Sequence, residues 1–117
     1  MKSENQIDYI EFPTTSNAAL AATKKFYGEV FGWTYQDWGP DYSDTKSSGI
    51  ASGINGSQEH RAAKPLAIIF SSDLESARAR VVKAGGNISR DIFSFPGGRR
   101  FHYVDPSGNE LGVWTDK

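Results

Sequence analysis

Glu11 is the first side chain in the sequence that could carry out chemistry on a ligand. It lies in an apolar segment, residues 7–12, whose alternation predicts a β-strand with Glu11 and Tyr9 on one face. A carboxylate buried among aromatic rings would have a raised pKa and could hydrogen-bond or deprotonate a ligand. It could equally form a structural ion pair with Arg99 or Arg100. The sequence leaves both roles open.

His102 is the second candidate, in the stretch RFHYVDPSGNELGVW at residues 100–114. Pro and Gly between two β-favouring segments predict a hairpin turn, in which Asp105 caps the turn through its side chain. If Val104 faces Glu110 across the turn, His102 faces Gly112, although a bulge would shift this register.

The predicted register pairs Arg100 with Trp114 in the same way. One sheet face should then carry a histidine, a carboxylate, a glycine and an indole: His102, Glu110, Gly112 and Trp114. His102 could act as a base or contact a ligand, and a packed histidine with satisfied hydrogen bonds is the alternative. Glu11 and His102 together could form an acid–base pair if they lie within hydrogen-bond reach.

Aromatic side chains are abundant, with three Trp, five Tyr and seven Phe. They could fill a core or line a ligand pocket, because ligand sites favour aromatic walls. The predicted ligand-contacting residues are Tyr9, Trp33, Trp38, Tyr42, Glu110, Gly112 and Trp114. Phe26, Tyr27 and Phe31 lie on a helical stripe and are predicted to belong to the core.

The elements that position these residues follow one order twice: a strand, a helix, then two or three strands. Residues 18–31 have helical periodicity, with cap residues before them and Gly32 after them. A second helix should start at the cap Ser72, with Glu75 completing a capping box, and end at Ala84.

The connecting segments also carry predictions. Residues 33–38 and 49–54 are predicted strands, the latter Gly-rich and therefore able to pass close to a ligand or another backbone. Residues 39–48 are predicted to form a polar loop. The glycines that end the helices, Gly32 and Gly85, lie 53 residues apart, which indicates an α+β fold built from two repeats.

Length and charge limit the classes of function. A chain of 117 residues can form one domain with a real core. Its net charge of −1 gives no electrostatic reason to expect binding to nucleic acid or to a membrane surface. The absence of cysteine excludes disulfides and thiolate chemistry and fits a cytoplasmic protein. No signal peptide or membrane-spanning run is expected.

Two segments, EFP…KKFYGEVFGW and DLESARARVVKAGG…DPSGNELGVW, resemble the glyoxalase/bleomycin-resistance, or vicinal-oxygen-chelate, superfamily. FYGEVFGW and DPSGNELGVW are similar to its lactoylglutathione-lyase-related group. The resemblance implies two βαβββ modules that form a curved mixed sheet around a cleft, with helices on the outer face. It implies one domain over residues 1–117, with modules at about 5–60 and 64–116, and a homodimer.

Enzymes of this family usually hold a divalent metal through four side chains, two from each module. By the resemblance, these positions fall on Tyr9, on residues 49–56, on Leu66 or Ala67, and on Gly112. At least three of the four ligands are missing, and a divalent ion needs several N or O donors. We therefore expect no metal at this site and no cofactor, and the family's metal-dependent activities are not carried over.

Three functions fit this pattern. The first is a metal-free protein that binds a small organic ligand, as in bleomycin-resistance members. The second is a metal-independent enzyme of the lyase or isomerase type, with Glu11 or His102 as general base on a carbonyl-bearing or epoxide-like substrate. The third is an accessory domain whose cleft is filled by its own side chains, such as Trp38 and Trp114.

Overall fold

The computed structural model describes residues 2–117 as ten elements. The helices are α1 (Asn17–Phe31) and α2 (Leu74–Lys83). The strands are β1 (Ile7–Pro13), β2 (Gln36–Asp37), β3 (Tyr42–Thr45), β4 (Ala51–Asn55), β5 (Leu66–Phe70), β6 (Asn87–Phe95), β7 (Gly98–Val104) and β8 (Glu110–Thr115). The order is βαβββ twice, so the predicted α+β class and its two modules are confirmed.

The residues form two compact units. The N-terminal unit is Tyr9–Leu66, and the C-terminal unit is Ala67–Lys117 together with the residues up to Asp8. Each unit contains one helix and a mixed set of parallel and antiparallel strands.

In the N-terminal unit the strands lie in the order β2-β3-β4-β1, with β1 parallel to β4. Helix α1 begins at the cap Ser16, whose Oγ accepts a hydrogen bond from the Ala19 N–H at 3.0 Å. It ends at Gly32, which has φ 74° and donates its N–H to the Gly28 carbonyl, as predicted. The ring of Tyr27 lies 6.4 Å from that of Phe12, so α1 packs on the strand face that carries Phe12.

The predicted core role of the α1 aromatics is wrong for Phe26 and Phe31, which are 56% and 62% exposed. Leu20 is the buried residue of this helix. Tyr27 stacks on Trp33 at 5.0 Å, and Phe31 lies 5.5 Å from Trp33. The apolar stripe is therefore wider than the face that the strands cover, and its outer rings pack on one another.

The prediction of a loop for residues 39–48 is also wrong, because β3 lies within this segment. Of the strand predicted at 33–38, only the two residues of β2 are in a strand. Strand β3 lacks an apolar alternation, and its inward side chains are hydroxyls. The Ser43 Oγ donates to Asp37 Oδ1 at 2.6 Å, and the Thr45 Oγ1 is hydrogen-bonded to the Ser47 Oγ at 2.6 Å. Hydrogen bonds allow these polar residues to be buried.

In the C-terminal unit the strands lie in the order β5-β8-β7-β6, with β5 parallel to β8. Leu74, Ala77, Phe101 and Val113 form a core between α2 and these strands. The cap of α2 is Asp73 and not the predicted Ser72, since the Asp73 carboxylate accepts the Ser76 N–H at 3.0 Å. The Ser72 N–H is instead donated to the Glu4 carboxylate at 2.8 Å.

The predicted hairpin is confirmed residue by residue. Val104 pairs with Glu110, His102 with Gly112, and Arg100 with Trp114. The Asp105 carboxylate accepts backbone N–H bonds from inside the turn, as predicted, and these local bonds help to fix the turn.

Candidate functional site

A cluster of polar side chains lies on one strand face of the N-terminal unit. We call Tyr9, Glu11, Tyr42 and Asn55 the Glu11 cluster. Tyr9 and Glu11 alternate along β1 and so share a face. The register pairs Glu11 with Gly53 on β4, and Asn55 of β4 with Tyr42 on β3, which brings three strands' side chains to one place.

Glu11 is only 3% exposed, yet both of its carboxylate oxygens have side-chain donors. The Tyr42 hydroxyl donates to Oε2 at 2.9 Å, and the Asn55 Nδ2 donates to Oε1 at 2.9 Å. The Asn55 Oδ1 accepts the Ser57 N–H at 2.8 Å, which fixes the orientation of the amide. These donors stabilise the ionised carboxylate, because hydrogen bonds offset the loss of hydration.

Tyr42 links Glu11 to Tyr9 through hydroxyl oxygens 2.7 Å apart. Burial, followed by the charge of Glu11 and the neighbouring Tyr9, raises the pKa of Tyr42 far above its usual range, so Tyr42 stays protonated. Its single hydrogen is directed to Glu11, and therefore Tyr9 is the donor in the bond to Tyr42. The bond from Tyr9 to Tyr42 and the bond from Tyr42 to Glu11 therefore both donate in the direction of the carboxylate.

Gly53 makes room for this arrangement. A Cβ atom at Gly53 would lie 2.1 Å from the Tyr9 hydroxyl and 2.5 Å from the Tyr42 hydroxyl. The Gly-rich strand was predicted to pass close to a ligand or backbone, and the groups that approach it are instead two phenol hydroxyls. Sequence reasoning missed Gly53 and Asn55 as site residues, and the only available signal was a glycine inside a strand.

The C-terminal unit carries a second group, on the strand face opposite to α2. The register places His102, Glu110, Gly112 and Trp114 on one face, as predicted. His102 is 2% exposed, and its Nδ1 lies 3.7 Å from the Glu110 Oε2. This is an electrostatic contact longer than a hydrogen bond, and Glu110 accepts one from the Ser89 hydroxyl at 2.7 Å.

An aromatic ring packs against His102, and two cations contact that ring. Phe93 lies edge-on to the imidazole, with ring centres 5.7 Å apart. The guanidinium groups of Arg90 and Arg100 lie 4.9 and 5.2 Å from the Phe93 ring centre. Both guanidinium groups lie within cation–π distance of this ring, so this face combines positive charge with an aromatic side chain.

Trp114 is half-buried on the same face. Its indole N–H donates to the Asp8 carboxylate at 2.9 Å, and its ring packs edge-on against Phe70 at 5.3 Å. The structure therefore gives this predicted wall residue both a fixed orientation and an accessible ring surface.

Two other predicted ligand-contacting residues, Trp33 and Trp38, lie outside both of these groups. Trp33 packs against Tyr27 and Phe31 on the side of α1, so it is not part of the Glu11 cluster. Trp38 is 62% exposed. Arg99, one of the two arginines considered as a partner of Glu11, forms an ion pair with Glu75.

The side chains present do not fit the divalent metal that the resemblance would imply. At the inferred ligand positions, Tyr9 offers a phenol already bonded to Tyr42, while Gly53 and Gly112 offer no side-chain donor. Among residues 2–117, no three His, Asp or Glu side chains are grouped so that they could hold an ion. Within that same range, neither helix is long and apolar enough to cross a membrane.

Two curated proteins share sequence similarity with the chain. Both are named "Putative glyoxylase CFP32", one from Mycobacterium bovis and one from Mycobacterium tuberculosis, and each is 26% identical over 118 residues. The alignment covers 92% of this chain and 44% of each relative. The chain thus spans less than half the length of these proteins.

Solved structures share the fold. A structure described as NAD-dependent benzaldehyde dehydrogenase from Legionella pneumophila has a TM-score of 0.75 at 14% identity, covering 93% of this chain and 98% of that one. A Mn(II)-bound glyoxalase from Novosphingobium aromaticivorans has a TM-score of 0.67 at 19% identity, covering 99% and 40%. At these identities the likeness concerns the fold alone.

The family assignment rests on the sequence itself. Residues 6–113 match the profile described as Glyoxalase/Bleomycin resistance protein/Dioxygenase superfamily. The match covers nearly the whole chain and agrees with the repeated βαβββ order. The protein therefore belongs to the Glyoxalase/Bleomycin resistance protein/Dioxygenase superfamily.

Proposed function

We propose that the chain is a metal-free small-molecule-binding protein of this superfamily, whose ligand is an organic compound of modest size. The observation that carries this proposal is the Glu11 cluster. Its carboxylate is buried at 3% exposure and held by the neutral donors of Tyr42 and Asn55. An anchored polar group beside aromatic rings is the usual composition of a ligand site.

The rings that would contact the ligand keep part of their surface exposed. Tyr9 and Tyr42 are both half-buried, and hydrogen bonds hold their hydroxyl groups. A ring fixed in this way loses little conformational entropy when a ligand stacks on it. Stacking together with a few polar contacts is therefore the proposed mode of binding.

The proposed function is metal-free because of the residues that occupy the inferred metal-ligand positions. Tyrosine and glycine stand at positions where the family's enzymes need histidine or carboxylate ligands. The relatives named glyoxylase are similar in sequence and the Mn(II)-bound glyoxalase is similar in fold, and their reactions are not assigned to this chain.

An alternative function is a metal-independent lyase or isomerase that uses Glu11 or His102 as general base. The contact between His102 and Glu110 favours it, because a nearby carboxylate stabilises the imidazolium formed by proton abstraction. The two hydrogen bonds donated to Glu11 count against this residue as the base, since Tyr42 and Asn55 already engage both of its carboxylate oxygens.

The accessory-domain function has less support. It requires large side chains to fill the space that a ligand would use, and one of the two named for that role, Trp38, is 62% exposed.

The remaining features are proposed on the resemblance and the composition. We propose a cytoplasmic homodimer of the lactoylglutathione-lyase-related group, whose one domain comprises modules at about 5–60 and 64–116. It binds neither nucleic acid nor membranes, in keeping with a net charge of −1.

Native mass spectrometry of gently purified protein tests the function. The expected result is an organic adduct that dissociates on collisional activation and is lost from Glu11→Gln. The matched control Glu29→Gln changes an exposed carboxylate on α1 and should keep the adduct. An adduct retained equally by Glu11→Gln, or a stoichiometric divalent metal in its place, would contradict the proposal.

A further inference from the structure

A cavity of about 310 Å³ lies in the C-terminal unit, between α2 and the strands. Its lining includes Ile69 of β5, Ala77 and Val81 of α2, and Val113 of β8. Val113 alternates along β8 with Gly112 and Trp114, so the cavity is on the opposite strand face from His102. It is therefore separate from both groups described above.

The volume is sufficient for a small organic molecule. Ligand pockets begin at about 300 Å³. Ala77 and Val113 also belong to the core, and the cavity is bounded there by close-packed side chains. An occupant's apolar part would thus contact a rigid surface.

The polar lining includes one cation, Arg80. Arg80 of α2 lines the cavity and uses one N–H, from Nη1, to bond the Ser76 hydroxyl at 2.6 Å. A guanidinium has five N–H groups, so others can bind an anion. Burial, and secondarily the charge of Asp105, raises the pKa of Tyr103, so its hydroxyl stays a donor.

Two further polar groups shape this side of the cavity. Asn5 lines it in a left-handed conformation with φ 63°, which asparagine tolerates better than most residues, and adds an amide. Glu4 and Asp105 are competing negative charges near the cavity, and the charge of Asp105 acts on Tyr103. Bonds from Ser72 and Ser71 hold the Glu4 carboxylate at the α2 start and lower its pKa, and the field of Arg80 contributes least.

We infer that this cavity is a second binding site, for a small monocarboxylic acid with a compact aromatic or branched aliphatic body. The carboxylate would be bound by Arg80 with help from Tyr103, and the body would rest on Ile69, Ala77, Val81 and Val113. Charge complementarity selects the carboxylate, because a guanidinium and a carboxylate match in shape as well as in charge.

Benzoate is a suitable probe, followed by amide chemical shifts of the isotope-labelled full chain. We expect saturable shifts at α2, Ile69 and Val113, and at least tenfold weaker binding to Arg80→Gln. Arg78→Gln is the matched control: Arg78 lies two residues away on α2 and pairs with Asp91 outside the cavity. It should bind benzoate as the parent protein does.

Filling the cavity gives an independent test. Ala84→Leu adds atoms at a lining position and should abolish binding, whereas Ala79→Leu on the exposed side of α2 should not. Benzyl alcohol, which lacks the charge, should bind at least tenfold more weakly than benzoate. Unchanged benzoate affinity in folded Arg80→Gln, or no saturable shift at α2 in the parent protein, would overturn the inference.

Discussion

The two units share one framework and carry different chemistry at equivalent positions. In each, the first strand runs parallel to the last, and a buried glycine lies on that last strand. Gly53 is paired with Glu11 in the N-terminal unit, and Gly112 with Ile68 in the C-terminal unit. A buried carboxylate in one repeat thus stands where the other has an aliphatic side chain.

The strands paired with these last strands, β3 and β7, also carry different chemistry. Tyr42 of β3 pairs with Asn55 of β4, whereas the equivalent pair in the C-terminal unit is Arg100 with Trp114. One repeat surrounds an anion with neutral donors, and the other places cations against aromatic rings. The backbone order alone therefore does not dictate the chemistry, which depends on a few inward-facing positions.

The largest expected effect comes from removing the charge that distinguishes the two repeats. Glu11→Gln should lower the free energy of unfolding by about 3 kcal/mol, because it weakens two hydrogen bonds to a buried charged acceptor. Ile68→Val, at the equivalent position, should cost about 1 kcal/mol. Urea unfolding measures both, and an equal loss would mean that the carboxylate is no more important than a methyl group.

A somewhat smaller effect should follow from Gly53→Ala, at about 2 kcal/mol, since the new methyl group displaces two hydroxyls from a packed site. In a Tyr9→Phe background the hydroxyl nearest to the new Cβ is absent, so the cost should fall by about half. Unfolding of the four proteins in this cycle tests the coupling. If the losses of unfolding free energy simply add, the missing side chain at Gly53 does not serve to make room for the hydroxyls.

The pH dependence of stability should distinguish the N-terminal unit further. The pKa of Tyr42 is raised above its ordinary value of 10.0, so the unfolded chain releases this proton before the folded chain does. The stabilisation is complete below pH 10 and decreases above it, by about 1.4 kcal/mol per pH unit. Tyr42→Phe should remove that part of the slope, and an unchanged slope between pH 10 and 11 would contradict the assignment.

The smallest expected effect is in the C-terminal unit, at the surface pair of Arg78 and Asp91. The bond from Arg78 lowers the pKa of Asp91, so the pair stabilises the fold at neutral pH and its contribution is lost as acid protonates Asp91. Both residues are solvated, and Asp91→Asn should shift the melting temperature only slightly and less at high salt. A change in melting temperature as large as that caused by Glu11→Gln would mean that this surface pair matters as much as the buried carboxylate.

The sequence was informative where short-range interactions decide the structure. The hairpin register from Arg100 to Trp114 followed from the turn residues, because Asp105, Pro106 and Gly108 fix the backbone locally. The end of α1 at Gly32 followed for the same reason. Local rules sufficed in both cases.

The rest depended on partners distant in sequence. Asn55 lies 44 residues from Glu11, and no pattern around it indicated that its amide would bind the carboxylate. The position of β3 was missed because its buried residues are hydroxyls whose burial requires partners such as Asp37. The exposure of Phe31 was missed because periodicity identifies a stripe but not the width that is covered.

The most direct test of the account is a metal-binding measurement on the intact chain. The protein would be dialysed against excess Zn²⁺, Ni²⁺ or Mn²⁺, returned to metal-free buffer, and analysed by elemental mass spectrometry in parallel with Glu11→Gln. We predict metal far below one equivalent in both proteins, because Tyr9 and the two strand glycines replace the donors that chelation needs. One equivalent of metal that is retained by the parent protein and lost from Glu11→Gln would contradict the account.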